Sequence, residues 1–498
     1  MSSMNNLLFR VAAFGMLFVA VPASAQETDT VQELQRVNDA QQQQIEAQQR
    51  QIETLMQMVM KLQSEVEPLV TIADKERATP AEGSAPAEPL IASAEVEVPP
   101  QPSSASAGVE VLPKSESKVG VSQVDRFDPD TPTASDVTFI SPTALIRIPG
   151  TDTSVGVHGM LQFQIAHDTS GPDSNQWNTA SIPVDGAPPE TKFNINPSRF
   201  VISSVTDYPG NSHLNTLISV DFNGQETSPE PRLRLAWAEY VNQDLGIGVI
   251  GGQAFPTLVD LRAVPEMLDF AIPVGALAQR QGLLRLTKSL SETFLMETSI
   301  ETPRNVRYIN ADRRSRLPDA ALAGTWLVNG HYLSHFKLGV QARDLRAERA
   351  DGATDSALGW AVAASGKVNL PFLGDRTNFK LTVHTGDGYG TQLKGGPEEA
   401  VFDTSLNLIG TTGTFGGLQH FWSDRFRSNL TFGYLRADNP ATAPSHALRS
   451  STYASANFVW VPAKNLTLGV EYLYGERKNF DGASGTSNRI LLSSKLDY

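Results

Sequence analysis

From about Val137 to Tyr498, short segments of the chain alternate apolar and polar residues with a period of two. Successive side chains of a β-strand point to opposite faces, so this alternation marks strands with one apolar and one polar face, not helices. In Ser154–Ala166 the apolar face is Val155, Val157, Leu161, Phe163 and Ile165, and the polar face carries His158, Gln162 and Gln164. In Asn465–Glu476, Leu466, Leu468, Val470, Tyr472 and Tyr474 oppose Thr467, Gly469 and Glu471. The last segment sets Ile490, Leu492, Leu496 and Tyr498 against Ser493, Lys495 and Asp497.

About sixteen such segments follow one another, and the links between them vary in length. Short links fall at Tyr208–Asn211, Asn242–Leu245, Lys288–Ser291, Asn329–Gly330, Pro371–Gly374, Ser423–Asp424 and Pro462–Asn465. Long ones occupy about 168–196, 253–279, 302–318, 388–410 and 476–486. Short turns at one end and long loops at the other fit a transmembrane antiparallel β-barrel over residues 138–498, its apolar face toward lipid and its polar face inward. A soluble sandwich is the competing all-β fold, but it needs neither aromatic residues at strand ends nor a C-terminal aromatic. Mean hydropathy is -0.22. After the N-terminus no apolar run reaches the roughly 20 residues of a membrane helix, which excludes a multi-helix membrane protein.

The N-terminal part has a different texture. Residues 1–25 read as a secretory signal: Arg10, an apolar stretch from Val11 to Val21, then Ala23-Ser24-Ala25 before Gln26. Residues 26–67 carry heptads, with Val31, Asn38, Ile45, Ile52, Val59 and Val66 in one core position. Leu34, Gln41, Gln48, Leu55 and Leu62 fill the other, which predicts a periplasmic α-helical coiled coil of open strand number. Pro68 ends the pattern. Residues 68–137 are rich in Pro, Ala, Ser and Glu, and read as a disordered linker. Of the net charge of -14, most lies in this arm: residues 1–137 hold 20 acidic against 9 basic residues, and the remainder 34 against 31. The chain has no cysteine, so disulfides and thiolate sites are excluded.

No G-x-S-x-G, H-E-x-x-H or Walker sequence occurs, and the eight histidines have no metal spacing, so neither a catalytic residue nor a metal or other cofactor is expected. Gly386–Gly390 is glycine-rich, but it opens a long loop after a strand with no helix behind it. The segment Gln253–Ala278 is too apolar to stand in water. As the third external loop it is expected to fold into the lumen on Phe255, Leu258, Val259 and Phe270, leaving Arg262, Glu266 and Asp269 facing the channel; a lid or subunit contact is the alternative. Basic residues with lumen parity are Arg232 and Arg234, set opposite Leu233, Leu235 and Trp237, and Lys337 and Arg343, set opposite Phe336, Leu338 and Val340. Arg199 and Arg285 join them from strands that alternate poorly. Basic rings at a constriction favour anions. Pairing with acids such as Glu239 and Glu297 would instead make these residues a wet wall.

The chain also resembles a known family. Ile148-Pro149-Gly150-Thr151-Asp152-Thr153 precedes a strand containing Val157-His158-Gly159, and Gly252-Gln253 with Leu258–Phe270 falls where a constriction loop belongs. Together with the coiled coil and linker, these stretches resemble the DcaP-like trimeric outer-membrane porins. The resemblance implies a homotrimer in outer-membrane lipid passing small anionic, dicarboxylate-like solutes by passive diffusion. His158 and the terminal Tyr498 depart from that pattern. Tyr498 is expected to engage the barrel-assembly machinery, and the coiled coil to reach peptidoglycan; no nucleic acid is implied. Other readings are a structural barrel tethered to the cell wall, a barrel-embedded enzyme, and a porin for phosphate or sugars.

Overall fold

The structure of the protein, a computed structural model, describes residues 145–498 apart from 172–173, 225–228, 278 and 329–330. The signal sequence, heptad segment and linker read from residues 1–137 lie outside the described residues, as does the turn at Asn329–Gly330. Sixteen antiparallel strands follow in chain order. The first eight are β1 (Thr153–Asp168), β2 (Glu190–Asn194 and Arg199–Tyr208), β3 (Ser212–Asp221), β4 (Arg232–Asn242), β5 (Ile247–Ala254), β6 (Gln281–Ser291), β7 (Phe294–Glu301) and β8 (Asp319–Val328). The second eight are β9 (His331–Glu348), β10 (Thr354–Asn369), β11 (Asn378–Asp387), β12 (Gly410–Phe421), β13 (Phe426–Asp438), β14 (Leu448–Ala463), β15 (Leu466–Asn479) and β16 (Ser484–Asp497).

Each strand pairs with its neighbour in sequence, and β1 pairs with β16 from Met160↔Asp497 to Asp168↔Arg489, which closes the sheet. Closure leaves no unpaired edge, the condition for a sheet to stand in hydrocarbon. The links at one end are turns of two to eight residues. The other end carries loops L1 (169–189), L2 (222–231), L3 (255–280), L4 (302–318), L5 (349–353), L6 (388–409), L7 (439–447) and L8 (480–483). L8 differs from the sequence expectation of a long link over 476–486. β15 and β16 continue their ladder out to Lys478↔Ser484, and the reversal is completed at Gly482, whose φ is +93°.

The outer face is apolar. In β9 Leu338 is 59% exposed and its neighbour Lys337 is 7%. Aromatic side chains gather where the strands meet the turns: Phe426 stacks on Trp460 with ring centroids 6.4 Å apart, and Trp326 meets Phe336 at 6.1 Å. Such a girdle suits the membrane interface.

One strand corrects the expected parity. The β3–β4 register shifts between Ser219↔Leu235 and Val220↔Leu233, so Arg234 sits in a bulge. A bulge adds one residue and reverses the faces beyond it. Leu233 therefore faces out, while Leu235 and Trp237 are buried on the inner side with Arg234.

Candidate functional site

The apolar composition of L3 has a direct structural consequence. Phe255, Leu258, Val259, Val264, Met267, Leu268 and Phe270 are all buried. Most of them share a core with inner-wall residues such as Leu217, Leu235, Phe415, Leu473 and Leu491. Burying each large side chain contributes about 1.5–3 kcal/mol relative to leaving it in water. Pro256, Pro265 and Pro273 keep the segment from becoming a strand, and among its described residues the one helical element is a 3-10 turn, Leu261–Ala263, capped by Asp260 accepting from the Arg262 amide at 3.2 Å.

A buried irregular backbone must find partners for its polar groups, and here strand side chains supply them. Arg285 Nη1 donates to the Phe255 carbonyl at 3.2 Å, Lys337 Nζ to Val259 at 3.1 Å, and Lys380 Nζ to Val264 at 3.1 Å. Gln164 donates to the Leu268 carbonyl at 2.7 Å, and Glu471 accepts from the Leu268 and Asp269 amides at 2.9 and 2.8 Å. The partners thus come from β6, β9, β11, β1 and β15. On its return, L3 turns at Gly275, whose φ is +78°; a Cβ there would lie 2.7 Å from the Tyr434 carbonyl. It then meets L6, where the Gly275 amide donates to the Lys394 carbonyl at 2.9 Å and the Lys394 amide to Ala276 at 2.8 Å.

The carboxylates of L3 sit differently from expectation. Glu266 is turned to the wall: Arg427 grips it with two hydrogen bonds of 2.6 and 2.7 Å, and Gln419 and Asn429 donate to it as well. Burial alone would raise its pKa, but the Arg427 charge and these hydrogen bonds leave it below the ordinary glutamate value. Asp269 is buried against Arg489 at 2.8 Å, and the same guanidinium binds Asp168 at 2.6 and 2.8 Å. Trp177 of L1 lies against Arg489 at 4.9 Å, so two loops rest on one arginine. Asp260 accepts from Ser365 at 2.8 Å and meets His335 Nε2 at 2.9 Å. Burial would raise its pKa, but His335, Lys337 and these hydrogen bonds hold it well below the usual carboxylate range. Arg262 is buried on the short turn of L3.

The wall cations are also engaged. Arg232 binds Asp221 through two hydrogen bonds of 2.9 and 2.8 Å, and Arg234 reaches the same carboxylate at 3.3 Å with its guanidinium 5.8 Å from the Phe270 ring centre. Arg285 and Lys337 share Glu297 at 3.4 and 2.9 Å. Arg343 is held between Asp319 at 3.1 Å and Glu399 of L6 at 2.7 Å. Arg199 is buried in β2, where its carbonyl accepts from the Tyr498 hydroxyl at 3.3 Å. The structure therefore gathers Arg232 with Arg234, and Arg285 with Lys337, but sets Arg343 apart in a pocket of two carboxylates. The sequence reading missed Arg427, Arg489, Lys380 and Glu471. The same alternation marked them, since Phe426 and Ile490 face out beside the two arginines.

A closed sixteen-strand barrel with an apolar outer band, an aromatic girdle and a charged interior is an outer-membrane channel of the porin type. Residues 143–498 match the family described as DcaP outer membrane protein, and the chain belongs to that family. The solved outer membrane channel DcaP of Acinetobacter baumannii is 22% identical, with a TM-score of 0.63; the match covers 71% of this chain and 99% of that one. A solved anion-selective porin from Comamonas acidovorans is 10% identical with a TM-score of 0.50, over 70% of this chain and 100% of that one. Among curated proteins no match was found.

Proposed function

We propose that the protein is a homotrimeric porin for passive diffusion of small anionic, dicarboxylate-like solutes, narrowed by L3. The observation that carries this reading is the clustering of Arg232 and Arg234, whose guanidiniums both reach the Asp221 carboxylate beside L3. The two guanidiniums gather at one place on the β3–β4 wall, and that of Arg234 lies 5.8 Å from the ring of Phe270 of L3. Arg285 and Lys337 likewise meet at Glu297. Charges within about a Debye length, roughly 8 Å at physiological salt, govern a permeating ion. The guanidinium fork suits carboxylates. Arg343, enclosed by Asp319 and Glu399, is assigned a lesser role, and Glu266 and Asp269 are assigned to holding L3. Arg199 and Arg262 complete the basic set of the narrowing.

The test is reversal potential across a planar bilayer under a KCl gradient. Wild type is expected to prefer chloride, and the double variant Arg232→Ala, Arg234→Ala to lose most of that preference. A cation-selective wild type refutes the reading.

A further inference from the structure

On the lipid side of β13, β14 and β15, just below L7 and L8, three exposed cations lie together: Arg436, Arg449 and Lys478. Ser450 of β14 is the register partner of Arg436 on one side and of Lys478 on the other, so these two stand in one row across three strands. The β14–β15 register shifts between Leu448 and Ser450, and Arg449 is the extra residue of that bulge. We propose that this row docks a phosphorylated glycolipid of the outer leaflet, with the three cations on its phosphates and the aromatic surface beneath them on its acyl chains. The inference goes beyond the porin reading: it needs the barrel to stand in the outer membrane, and no particular selectivity of its channel.

Three observations carry it. The first is depth. From Phe426 of the turn-end girdle to Arg436, β13 climbs about 26 Å along the barrel axis, at about 3.4 Å per residue and a tilt of about 40°. The apolar band of such barrels is about 25 Å tall, so the cations stand at the level where lipid phosphates begin. Loops at this end face the outside of the cell, which makes the leaflet the outer one. The second is the surface directly beneath. Tyr434 and Phe432 of β13 and Tyr474 of β15 share the lipid-facing side with the short side chains of Thr452 and Ala454 between them. Aromatic walls on either side of a low floor give an acyl chain more contact than a flat face does. The third is the state of the cations. Arg436 meets Asp438 at 3.0 Å and Lys478 meets Glu476 at 3.0 Å, each on its own strand. Neither pair is buried, and pairs open to solvent are worth little, so a phosphate competes for these donors at small cost. Its bonds to guanidinium and ammonium groups at the edge of the apolar band are charge-assisted. Clusters of basic residues at a membrane surface recognise anionic headgroups in this way.

The experiment is native mass spectrometry of the full chain, purified in detergent and titrated with diphosphoryl lipid A or with the same lipid stripped of its phosphates. Wild type is expected to bind the diphosphoryl form about tenfold more tightly, the size of a charge-assisted contact in a partly exposed site. Arg436→Gln combined with Lys478→Gln should abolish that difference. Arg425→Gln, in the turn between β12 and β13 at the opposite end, should leave it intact. Heat-modifiable gel mobility reports whether each variant folds. Should the double variant not fold, Arg449→Gln, at the exposed residue of the bulge, takes its place and should reduce the difference. Equal binding of the two lipids by wild type, or a preference unchanged in the folded variant, overturns the inference. Displacement of lipid A by excess inorganic phosphate also overturns it, because the row is then a site for free anions. A double variant that binds lipid A as wild type does but falls from oligomer to monomer gives the face to a second copy of the chain and overturns it too. The porin reading stands through all of these outcomes, and only a wild type that carries no KCl current removes it.

Discussion

Glu266 of L3 and Arg427 of β13 form a buried two-pronged ion pair, 2.6 and 2.7 Å long, across 161 residues of sequence. It ties the third loop to the β13 wall. Removing one partner leaves the other charged and buried, which costs about 3–5 kcal/mol. Glu266→Gln and Arg427→Leu should each loosen residues 264–271 without opening the barrel. The expected readout is faster amide exchange in that segment together with noisier single-channel current. Because both changes remove the same contact, the double variant should fall well short of their sum.

The same pair sets a pH dependence with a definite sign. The folded-state pKa of Glu266 lies below its ordinary value of 4.5. Such a group stabilises fully above the unfolded value, and the stabilisation is lost as pH falls through the lower folded value. L3 should therefore stay docked from about pH 7 to about pH 5, and loosen only in more acid solution. Amide exchange of residues 266–271, corrected for the intrinsic rate, measures this. Loosening that begins near pH 6 would assign the anchoring to another group.

Much of the fold was legible in the alternation alone, because lipid imposes an apolar outer face on every strand. What blurred it was L3. In β6 Leu283 faces in and Leu284 faces out, and in β2 Val201 faces in beside Phe200 and Ile202 facing out. An inner wall covered by an apolar loop is itself apolar, so the strands carrying Arg199 and Arg285 lose their contrast. The bulge at Arg234 was hidden for a different reason. It depends on pairing with β3, which the sequence of β4 does not contain. The partners of the wall charges were hidden too, since Arg427, Arg489 and Arg343 meet acids 161, 220 and 56 residues away in L3 and L6.

Closure by β1 and β16 places every barrel strand within residues 153–497. Deleting residues 26–137 should accordingly leave a barrel that inserts and conducts. Heat-modifiable gel mobility reports folding, and bilayer conductance reports the pore. A truncated barrel that inserts but carries no current would give the N-terminal segment a part in the pore itself.

Asp221 offers a test in which two neutralising changes push selectivity in opposite directions. Its carboxylate accepts from the guanidiniums of both Arg232 and Arg234. Asp221→Asn removes the carboxylate and adds one positive charge to the wall, so the anion preference should rise a few-fold. Arg234→Gln leaves Arg232 paired with Asp221 and removes one positive charge from the wall, so the preference should fall. At about 4 Å in water-like surroundings a unit charge is worth about 1 kcal/mol, which sets the size of both shifts. Both should shrink in concentrated salt as screening shortens. Leaving two guanidiniums short of a carboxylate also costs stability, and retained heat-modifiable mobility confirms that Asp221→Asn still folds. Reversal potentials that move the same way in both variants would remove the β3–β4 wall from the selectivity mechanism.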